Sequence, residues 1–311
     1  MPGFTTHYLF GLDTYHMLTP SPLKQMIRQN HAAFSLGLQG PDVFFYFLPS
    51  YTIRRHNIGS IAHIKDTNAF FSHLINSREL FQDPKQRQAA EAYTAGFIGH
   101  YILDTNCHPY IYWKTNFQKK SNRYYSKHMS LETEIDQLLL EYGRQCRPSA
   151  FRQDATIRLN KLQMDTICTI LHHVYQKCYP ELGVLPITMR AAIRSIQIGT
   201  RFVHDPSGKK KKIISNLEKR LFGFPLLSTL IPSDTEVLHE DPLNLKHRQW
   251  KNPWDTALVS KASFLDLMEQ AQEQYTHIMA KLFPYRETQN ALLDTLGNLS
   301  YHSGLDAGIP S

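Results

Sequence analysis

The chain has 311 residues, of which 42% are apolar and 20% charged, so it can form one large domain or two ordinary ones with a sizeable core. Thirty-four Lys and Arg against 27 Asp and Glu give a formal charge of +7, which favours anionic partners such as phosphate esters, lipid surfaces or nucleic acid. No apolar run approaches the ~20 residues of a membrane span, no export signal is visible, and the four cysteines lack C-x-x-C spacing, so we expect a cytoplasmic protein with reduced thiols.

Helical periodicity runs through almost the whole chain. The first predicted helix begins at Pro22, with Ser21 as its N-cap, and ends near Leu38. The absence of an alternating strand pattern or internal repeat predicts an all-α fold, a multi-helix bundle forming a single domain over residues 1–311. Further helices are predicted at about 58–76, 84–108, 126–146, 154–178, 187–204, 255–283 and 287–299.

Residues 205–254 differ in composition from the helices on either side. They contain a polar break, HDPSGKKKK, then the apolar LFGFPLLSTLI and a Pro-rich irregular stretch. We interpret them as an insertion or lid-like segment of the same domain. Lys209–Lys212 and the apolar residues after them could lie on an anionic membrane, and a solvated loop followed by a buried helix is the simpler alternative.

The stretch AGFIGHYILDTNCHPYIYW, residues 95–113, is apolar around the whole helix except at His100, Asp104 and His108. A spacing of four places these three residues on one face. His100 and His108 are then ~12 Å apart, too far for one metal ion, whereas two ions roughly 3.5–4 Å apart could share Asp104. Because Pro109 disfavours a helical conformation at His108, we expect the helix to end there.

The next predicted helix carries a second pair of the same kind. His128 and Glu132 are four residues apart on the apolar face of SKHMSLETEIDQLLLEYG. A hydrogen-bonded pair in the core is the simpler interpretation of this pair alone. Two such rows on successive helices favour metal binding, since His, Asp and Glu without Cys are typical ligands of catalytic zinc. Upstream candidates are His7, Asp42 and His63, with His56 as an alternative to His63.

In their order along the chain, these residues resemble the bacterial zinc-dependent phospholipase C family, relatives of the single-strand-specific zinc nucleases. The family pattern is an N-terminal His, a loop Asp, a His, then His-x-x-x-Asp, a His and His-x-x-x-Glu. The resemblance covers about residues 5–135, where the chain has His7, Asp42, His63, His100, Asp104, His108, His128 and Glu132.

The resemblance implies an all-α bundle with a metal cleft between helices, in which zinc-activated water hydrolyses phosphoric esters. It implies two zinc ions, with a third site left open, and it makes Asp42 the residue that orients or deprotonates the water and Asp104 the bridge that fixes the metal spacing. The implied ligands are Asp42, His63, His100 and Asp104 for the first ion, His108, His128 and Glu132 for the second, and Asp104 with His7 for a third.

The chain departs from the secreted members of that family in two places. It begins Met-Pro, whereas they use an N-terminal tryptophan to bind the third metal, and its interval between Asp104 and His108 is shorter. A choline headgroup would need an aromatic cage. The FFYF run after Asp42, or Tyr110 with Tyr112, could supply one.

Three alternative functions remain open from the residues alone. An HD-type phosphohydrolase could use His204–Asp205, although Pro206 follows at once. A nucleotide or nucleic-acid phosphohydrolase could use the same zinc scaffold. A non-catalytic, metal-stabilised protein associated with membranes is the third alternative.

Overall fold

The computed structural model describes residues 3–52, 57–117, 123–234, 239–283 and 289–307. It is 70% helical, and the described residues form thirteen α-helices and one antiparallel pair of two-residue strands, which confirms the all-α prediction. The elements are α1 (Phe4–Met17), α2 (Pro22–Gln29), α3 (His31–Gly37), α4 (Ile58–Ala62), α5 (Thr67–Asn76), α6 (Pro84–Lys114), α7 (Tyr124–Arg144), α8 (Gln153–Thr156), α9 (Lys161–Cys178), α10 (Pro186–Val203), α11 (Lys209–Phe222), β1 (Trp250–Lys251), β2 (Val259–Ser260), α12 (Phe264–Leu282) and α13 (Gln289–Leu296).

The body is organised around α6, whose 31 residues make it the longest helix of the described chain. Asp83 caps its N-terminus by accepting a hydrogen bond from the Lys85 amide, and Pro84 occupies the first helical position. Because α1, α3, α9 and α12 all pack against it, nearly every side chain between residues 89 and 112 is buried. Polar residues on this helix are therefore held away from water.

Two glycines bring the backbones of α3 and α6 into contact. A Cβ on Gly37 would lie 2.2 Å from the Tyr93 carbonyl oxygen, and one on Gly96 would lie 2.1 Å from the Phe34 carbonyl oxygen. Only residues without a side chain allow this approach. The turn that follows α3 is consequently pressed against the middle of α6.

α6 continues through Pro109, so the prediction that it ends near His108 is wrong. Proline removes one backbone donor, but packing on all sides of the helix outweighs this local cost. Gly304, with a φ of +65°, packs against the Thr105 carbonyl, the acceptor four residues before the proline. His108 therefore stays on the regular helix.

Three predicted helices are each divided in the structure, and a fourth begins later than predicted. The segment 154–178 forms α8 and α9, and the segment 255–283 is helical only from Phe264, where α12 begins. The segment predicted as one helix from residue 22 to 38 forms α2 and α3, which meet at Asn30. The segment 58–76 forms α4 and α5, separated near Asp66, whose φ of +52° is left-handed. α1 has no counterpart in the prediction, because Thr5 and Thr6 are buried beside apolar residues and no amphipathic pattern marks it.

The segment predicted as an irregular insertion contains α11, which includes Lys209–Lys212. The solvated-loop interpretation of these lysines is therefore wrong, whereas the assignment of residues 205–254 to an insertion stays a prediction. No helix of the described chain is both long and apolar enough to cross a membrane.

Candidate metal centre

His100 and Asp104 lie on the inner face of α6, and neither side chain is exposed. The His100 Nε2 atom is 3.2 Å from Asp104 Oδ2. His100 Nδ1 donates to the Leu38 carbonyl at 3.1 Å, which leaves the lone pair on Nε2 directed at the carboxylate. Gly40, with a φ of +48°, makes room for the imidazole, since a Cβ there would lie 2.3 Å from the ring.

Asp42 and His63 join this pair from the turn after α3 and from the end of α4. The His63 Nε2 atom lies 3.2 Å from Asp42 Oδ1 and 3.7 Å from Asp104 Oδ2. His63 Nδ1 donates to the Gly59 carbonyl at 2.7 Å, the same arrangement that orients His100. The competing candidate, His56, lies outside the described residues.

His7 enters from α1. Its Nε2 atom is 3.2 Å from Asp104 Oδ1, and its ring stacks on that of His100 with centroids 4.2 Å apart. The N-terminus of α1 is fixed by the buried Asp136 carboxylate, which accepts hydrogen bonds from the Thr5 and Thr6 amides at 3.0 and 2.7 Å. Asp136 thus positions the helix turn that carries His7.

We call His7, Asp42, His63, His100 and Asp104 the primary cluster. Two overlapping groups within it have ligand atoms that all lie within 4.8 Å of one another: His7 with Asp42 and His100, and His63 with His100 and Asp104.

The primary cluster and its neighbour His108 contain an unusual concentration of unsatisfied polar atoms. Among the described residues, thirteen buried side-chain nitrogen or oxygen atoms make no hydrogen bond, and eight of them belong to these six residues. Several lie 3.2 Å apart, but their angles are not those of hydrogen bonds. Buried polar atoms are rarely left unsatisfied, so this set fits a bound cation. Nitrogen and carboxylate donors without sulfur suit catalytic zinc.

The electrostatics of the primary cluster also favour a cation. Burial alone would raise the pKa of Asp104, but His100 and His108 hold it well below its usual value, so the carboxyl is ionised. Burial acts to lower the pKa of His100, but the carboxylates of Asp104 and Asp42 outweigh it and raise that pKa. Burial and the neighbouring His100 lower the pKa of His7. A neutral imidazole beside a carboxylate is the protonation state that zinc requires.

His108 adjoins the primary cluster but is oriented by the C-terminal segment. Its Nδ1 atom donates to the Tyr301 carbonyl at 2.5 Å, and its buried Nε2 atom has no hydrogen-bond partner among the described residues. Burial holds the pKa of His108 well below its usual value.

His128 and Glu132, which we call the α7 pair, contact each other directly. The His128 Nε2 atom is 2.7 Å from Glu132 Oε1, and each side chain is 11% exposed. Within the described chain, His108 and this pair do not form a group whose ligand atoms all lie within 4.8 Å of one another. His108 and His128 both contact the Tyr112 ring, with centroids 5.5 and 4.9 Å away, so one aromatic side chain connects the two histidines.

One residue of this region, His302, is absent from the prediction. Its ring lies 5.6 Å from that of His63 and 5.9 Å from that of His108. Its place near the end of the chain gives no local spacing that could have identified it. Tyr301 beside it also faces the cluster, with its ring 5.0 Å from His63.

The other sequence candidates have structural partners. Asp205 of the HD pair accepts hydrogen bonds from the Lys211 amide and the Ser207 hydroxyl, so it caps the start of α11. Tyr110 donates to the Pro242 carbonyl in the core. Tyr112 is therefore the better placed of the two tyrosines to face a ligand.

Fold and site together define a class: an all-α protein whose long central helix presents histidine and aspartate to a buried cluster of metal-ligand type. A family-level comparison matches residues 6–181, more than half of the chain, to zinc dependent phospholipase C. The chain belongs to this family, as the sequence predicts. The comparison with curated proteins and that with solved structures found no significant match. Family membership and the His and Asp groups support a zinc-dependent phosphoesterase.

Proposed function

We propose that this chain is a phospholipase C-like phosphodiesterase that uses a multinuclear zinc centre to activate water. The observation that carries the proposal is a group of eight buried nitrogen and oxygen atoms, on the inner face of α6 and its surroundings, that make no hydrogen bond with the described residues. A core without a ligand would leave these atoms uncompensated at a cost of ~1–3 kcal/mol each. Such a cost is retained where function requires it.

The two oxygens of Asp104 face different histidines, which supports a bridging role. Oδ1 lies 3.2 Å from His7, whereas Oδ2 lies 3.2 Å from His100, 3.6 Å from His108 and 3.7 Å from His63. We propose that His63, His100 and Asp42 hold one zinc ion on the Oδ2 side. The remaining proposed ligands are His108, His128 and Glu132 for a second ion, and His7 on the Oδ1 side for a third.

Asp42 is the proposed residue that orients or deprotonates the attacking water. Its side chain is 9% exposed, whereas those of His7, His63, His100 and Asp104 are not exposed at all. Solvent therefore reaches the primary cluster at Asp42. Bound zinc would polarise the phosphoryl oxygens and lower the pKa of water toward about 7.

A substrate panel tests the proposal and separates its alternatives. Purified chain, either zinc-loaded or stripped with EDTA, would be assayed on a choline phospholipid analogue, a soluble aryl phosphodiester and a 3'-nucleotide. We expect zinc-dependent hydrolysis of the diesters, with the phospholipid preferred. Preference for the 3'-nucleotide would support a nucleotide phosphohydrolase, and zinc binding without any turnover would support the non-catalytic alternative.

We also propose that α11 docks on an anionic phospholipid surface. This helix does not turn its apolar face to the core: it buries one charged side chain, Glu218, and exposes apolar side chains to solvent. The Glu218 carboxylate accepts hydrogen bonds from the Leu226, Leu227 and Ser228 amides, which fixes the helix in this orientation. The exposed apolar residues of α11 are Ile213, Leu217, Leu221 and Phe222.

The charge beside this apolar stripe matches an anionic membrane. At 100° per residue, Ile213, Leu217 and Leu221 cover one arc of α11, and exposed Lys and Arg residues cover the arc next to it. An apolar face bordered by cations is typical of helices that lie in a membrane interface. The bordering residues are Lys209, Lys212, Lys219 and Arg220.

Contacts of the connection after α11 support a position of this surface near the proposed metal centre. The Ser126 hydroxyl donates to the Pro225 carbonyl at 2.6 Å, and the Arg123 guanidinium lies over the Phe224 ring at 5.9 Å. Ser126 belongs to the first turns of α7, the helix that carries His128. Docking through α11 would therefore bring lipid close to the α7 side of the centre.

Vesicle sedimentation tests the docking surface. Wild-type chain should bind phosphatidylcholine vesicles only when phosphatidylserine is included, and high salt should weaken the binding. Leu217→Ser with Leu221→Ser should weaken it by at least ~10-fold, whereas Leu265→Ser, at a 44% exposed leucine of α12, should not. Unchanged vesicle binding by the double variant, or a dimer that it abolishes, would overturn the proposal.

Cytoplasmic location is likewise proposed. It is supported by the four cysteines, Cys107, Cys146, Cys168 and Cys178, all of which are free thiols in the structure. Disulfides are rare in the cytosol, where thiols are kept reduced.

A further inference from the structure

His302 lies at the metal centre although it is far from every predicted ligand in the sequence and outside the residues matched to the family. Its ring stacks on His63, with centroids 5.6 Å apart and planes 28° apart. It also contacts Tyr112 at 5.4 Å, the ring that touches His108 and His128. Three histidines from α6, α7 and the C-terminal segment are thus grouped around one aromatic side chain.

The backbone on both sides of His302 is fixed to the centre by hydrogen bonds. The Tyr301 amide donates to the His63 carbonyl at 3.1 Å, and the Tyr301 carbonyl accepts from His108 Nδ1. On the other side, the Asn252 amide group donates to the Ser303 carbonyl at 2.8 Å. The backbone position of His302 is therefore set by the fold.

The geometry of His108 and His302 repeats that of a pair within the primary cluster. The rings of His63 and His100 have centroids 5.8 Å apart and planes 74° apart. The rings of His108 and His302 are 5.9 Å and 77° apart. Two imidazoles that bind one zinc ion at ~2.0–2.1 Å through nitrogen have ring centroids within ~6 Å of each other. The second pair meets that condition.

We propose that His302 is a ligand of the second zinc ion, together with His108 and alongside the α7 pair. The inference rests on the metal centre of the proposed function and adds to it a ligand from the C-terminal segment. His108 has its Nε2 atom available for this role, because its Nδ1 atom is held by Tyr301. The C-terminal segment would then be part of the centre and not only a cover for it.

Metal binding distinguishes a ligand from a packing residue. His302→Phe keeps an aromatic ring against His63 but removes the nitrogen donors, whereas His302→Asp removes the ring and keeps a donor. A ligand role predicts that the Phe variant binds one zinc fewer per chain, or binds the second zinc at least ~10-fold more weakly, and that the Asp variant recovers part of the loss. A packing role predicts the reverse order.

Zinc content by elemental analysis and zinc affinity by chelator competition are the readouts, with thermal unfolding in EDTA to show that each variant folds. His277→Phe, at an exposed histidine of α12, is the matched control. The proposal is overturned if His302→Phe binds zinc as the wild-type chain does, or if the Phe and Asp variants lose zinc equally. Zinc binding that follows the prediction without diester hydrolysis would overturn the proposed function alone.

Discussion

The primary cluster and the α7 pair contain the same residue types, but they differ in whether their polar atoms have protein partners in the absence of metal. In the primary cluster, His63 Nε2, His100 Nε2 and both oxygens of Asp104 are buried and make no hydrogen bond within the described chain. In the α7 pair, His128 and Glu132 lie 2.7 Å apart, and His128 Nδ1 is 3.1 Å from the Tyr124 hydroxyl.

This difference indicates different metal affinities. Zinc entering the primary cluster would satisfy atoms that otherwise have no partner. Zinc that binds at the α7 pair must first separate His128 from Glu132, and these two side chains already stabilise each other. We therefore expect the primary cluster to bind zinc first and more tightly.

The largest effect is expected from Asp104→Asn. The change keeps the size of the side chain but removes the charge that faces His7 on one oxygen and His100 on the other. Zinc should be lost from the primary cluster, and kcat/KM for a soluble diester should fall by at least ~100-fold. Asp13→Asn, at a partly exposed aspartate paired with Arg144, is the control. Full zinc content in the Asp104 variant would contradict the account.

Glu132→Gln should affect only the second ion. The variant should retain zinc in the primary cluster and lose the weaker zinc site, with an intermediate loss of diester hydrolysis. Glu134→Gln is a matched control on the same helix, since Glu134 is buried but contacts His239 and Ser130. If Glu132→Gln removed all zinc, the two regions would not be separable sites and the comparison would fail. A calorimetric titration with zinc measures the affinity and the number of zinc ions bound at both sites.

Gly40→Ala should weaken the primary cluster without removing any ligand. A Cβ at this position would lie 2.3 Å from the His100 ring, on a backbone whose φ of +48° already disfavours side chains. The imidazole should be displaced, with an expected loss of zinc affinity of ~10-fold. Gly143→Ala is the control, because nothing lies within 4 Å of a Cβ there. Equal zinc affinity in both variants would show that His100 is not held by this contact.

The last expected effect is on folding stability and not on zinc binding, and it concerns the support of His7 by Asp136. Burial raises the pKa of Asp136 from 3.8 to about 6. Because the folded chain then holds this proton more tightly than the unfolded chain, the contribution of Asp136 to the free energy of unfolding falls as pH rises from about 4 to about 6. The change corresponds to ~3 kcal/mol.

Urea unfolding measures this change in the free energy of unfolding. The EDTA-treated wild-type chain and Asp136→Asn would be compared at one pH below this range and one above it. Between the lower and the higher pH, the wild-type chain should lose ~3 kcal/mol relative to the variant. A constant difference, or one of opposite sign, would show that the carboxyl at the start of α1 is not held in this way.

The sequence predicts the all-α class and part of the primary cluster. Residues that are four apart on a helix lie on the same face, so their proximity can be predicted from their spacing alone. His100 with Asp104, and His128 with Glu132, are each juxtaposed as the spacing requires. The roles of all these residues as ligands remain predictions. Pro109 shows where a local rule fails, since packing around α6 outweighs it.

Contacts between distant segments could not be predicted in this way. Tyr301 reaches His108 across 193 residues, so no local pattern marks the C-terminal segment as part of the centre. The exposure of the apolar side of α11 could not be predicted from the sequence either. Periodicity shows that a helix is amphipathic but not which of its sides packs against the protein. The exposure of its apolar residues and the hydrogen bonds of Glu218 identify the buried side in the structure.

A zinc titration of the EDTA-stripped chain, with bound zinc and hydrolysis of a soluble phosphodiester measured on the same samples, tests the central claim most directly. The account predicts no hydrolysis by the stripped chain and a rise in hydrolysis that follows zinc uptake, with the primary cluster filling first. Diester hydrolysis that is independent of bound zinc, or a fully loaded chain that hydrolyses no diester, would contradict it.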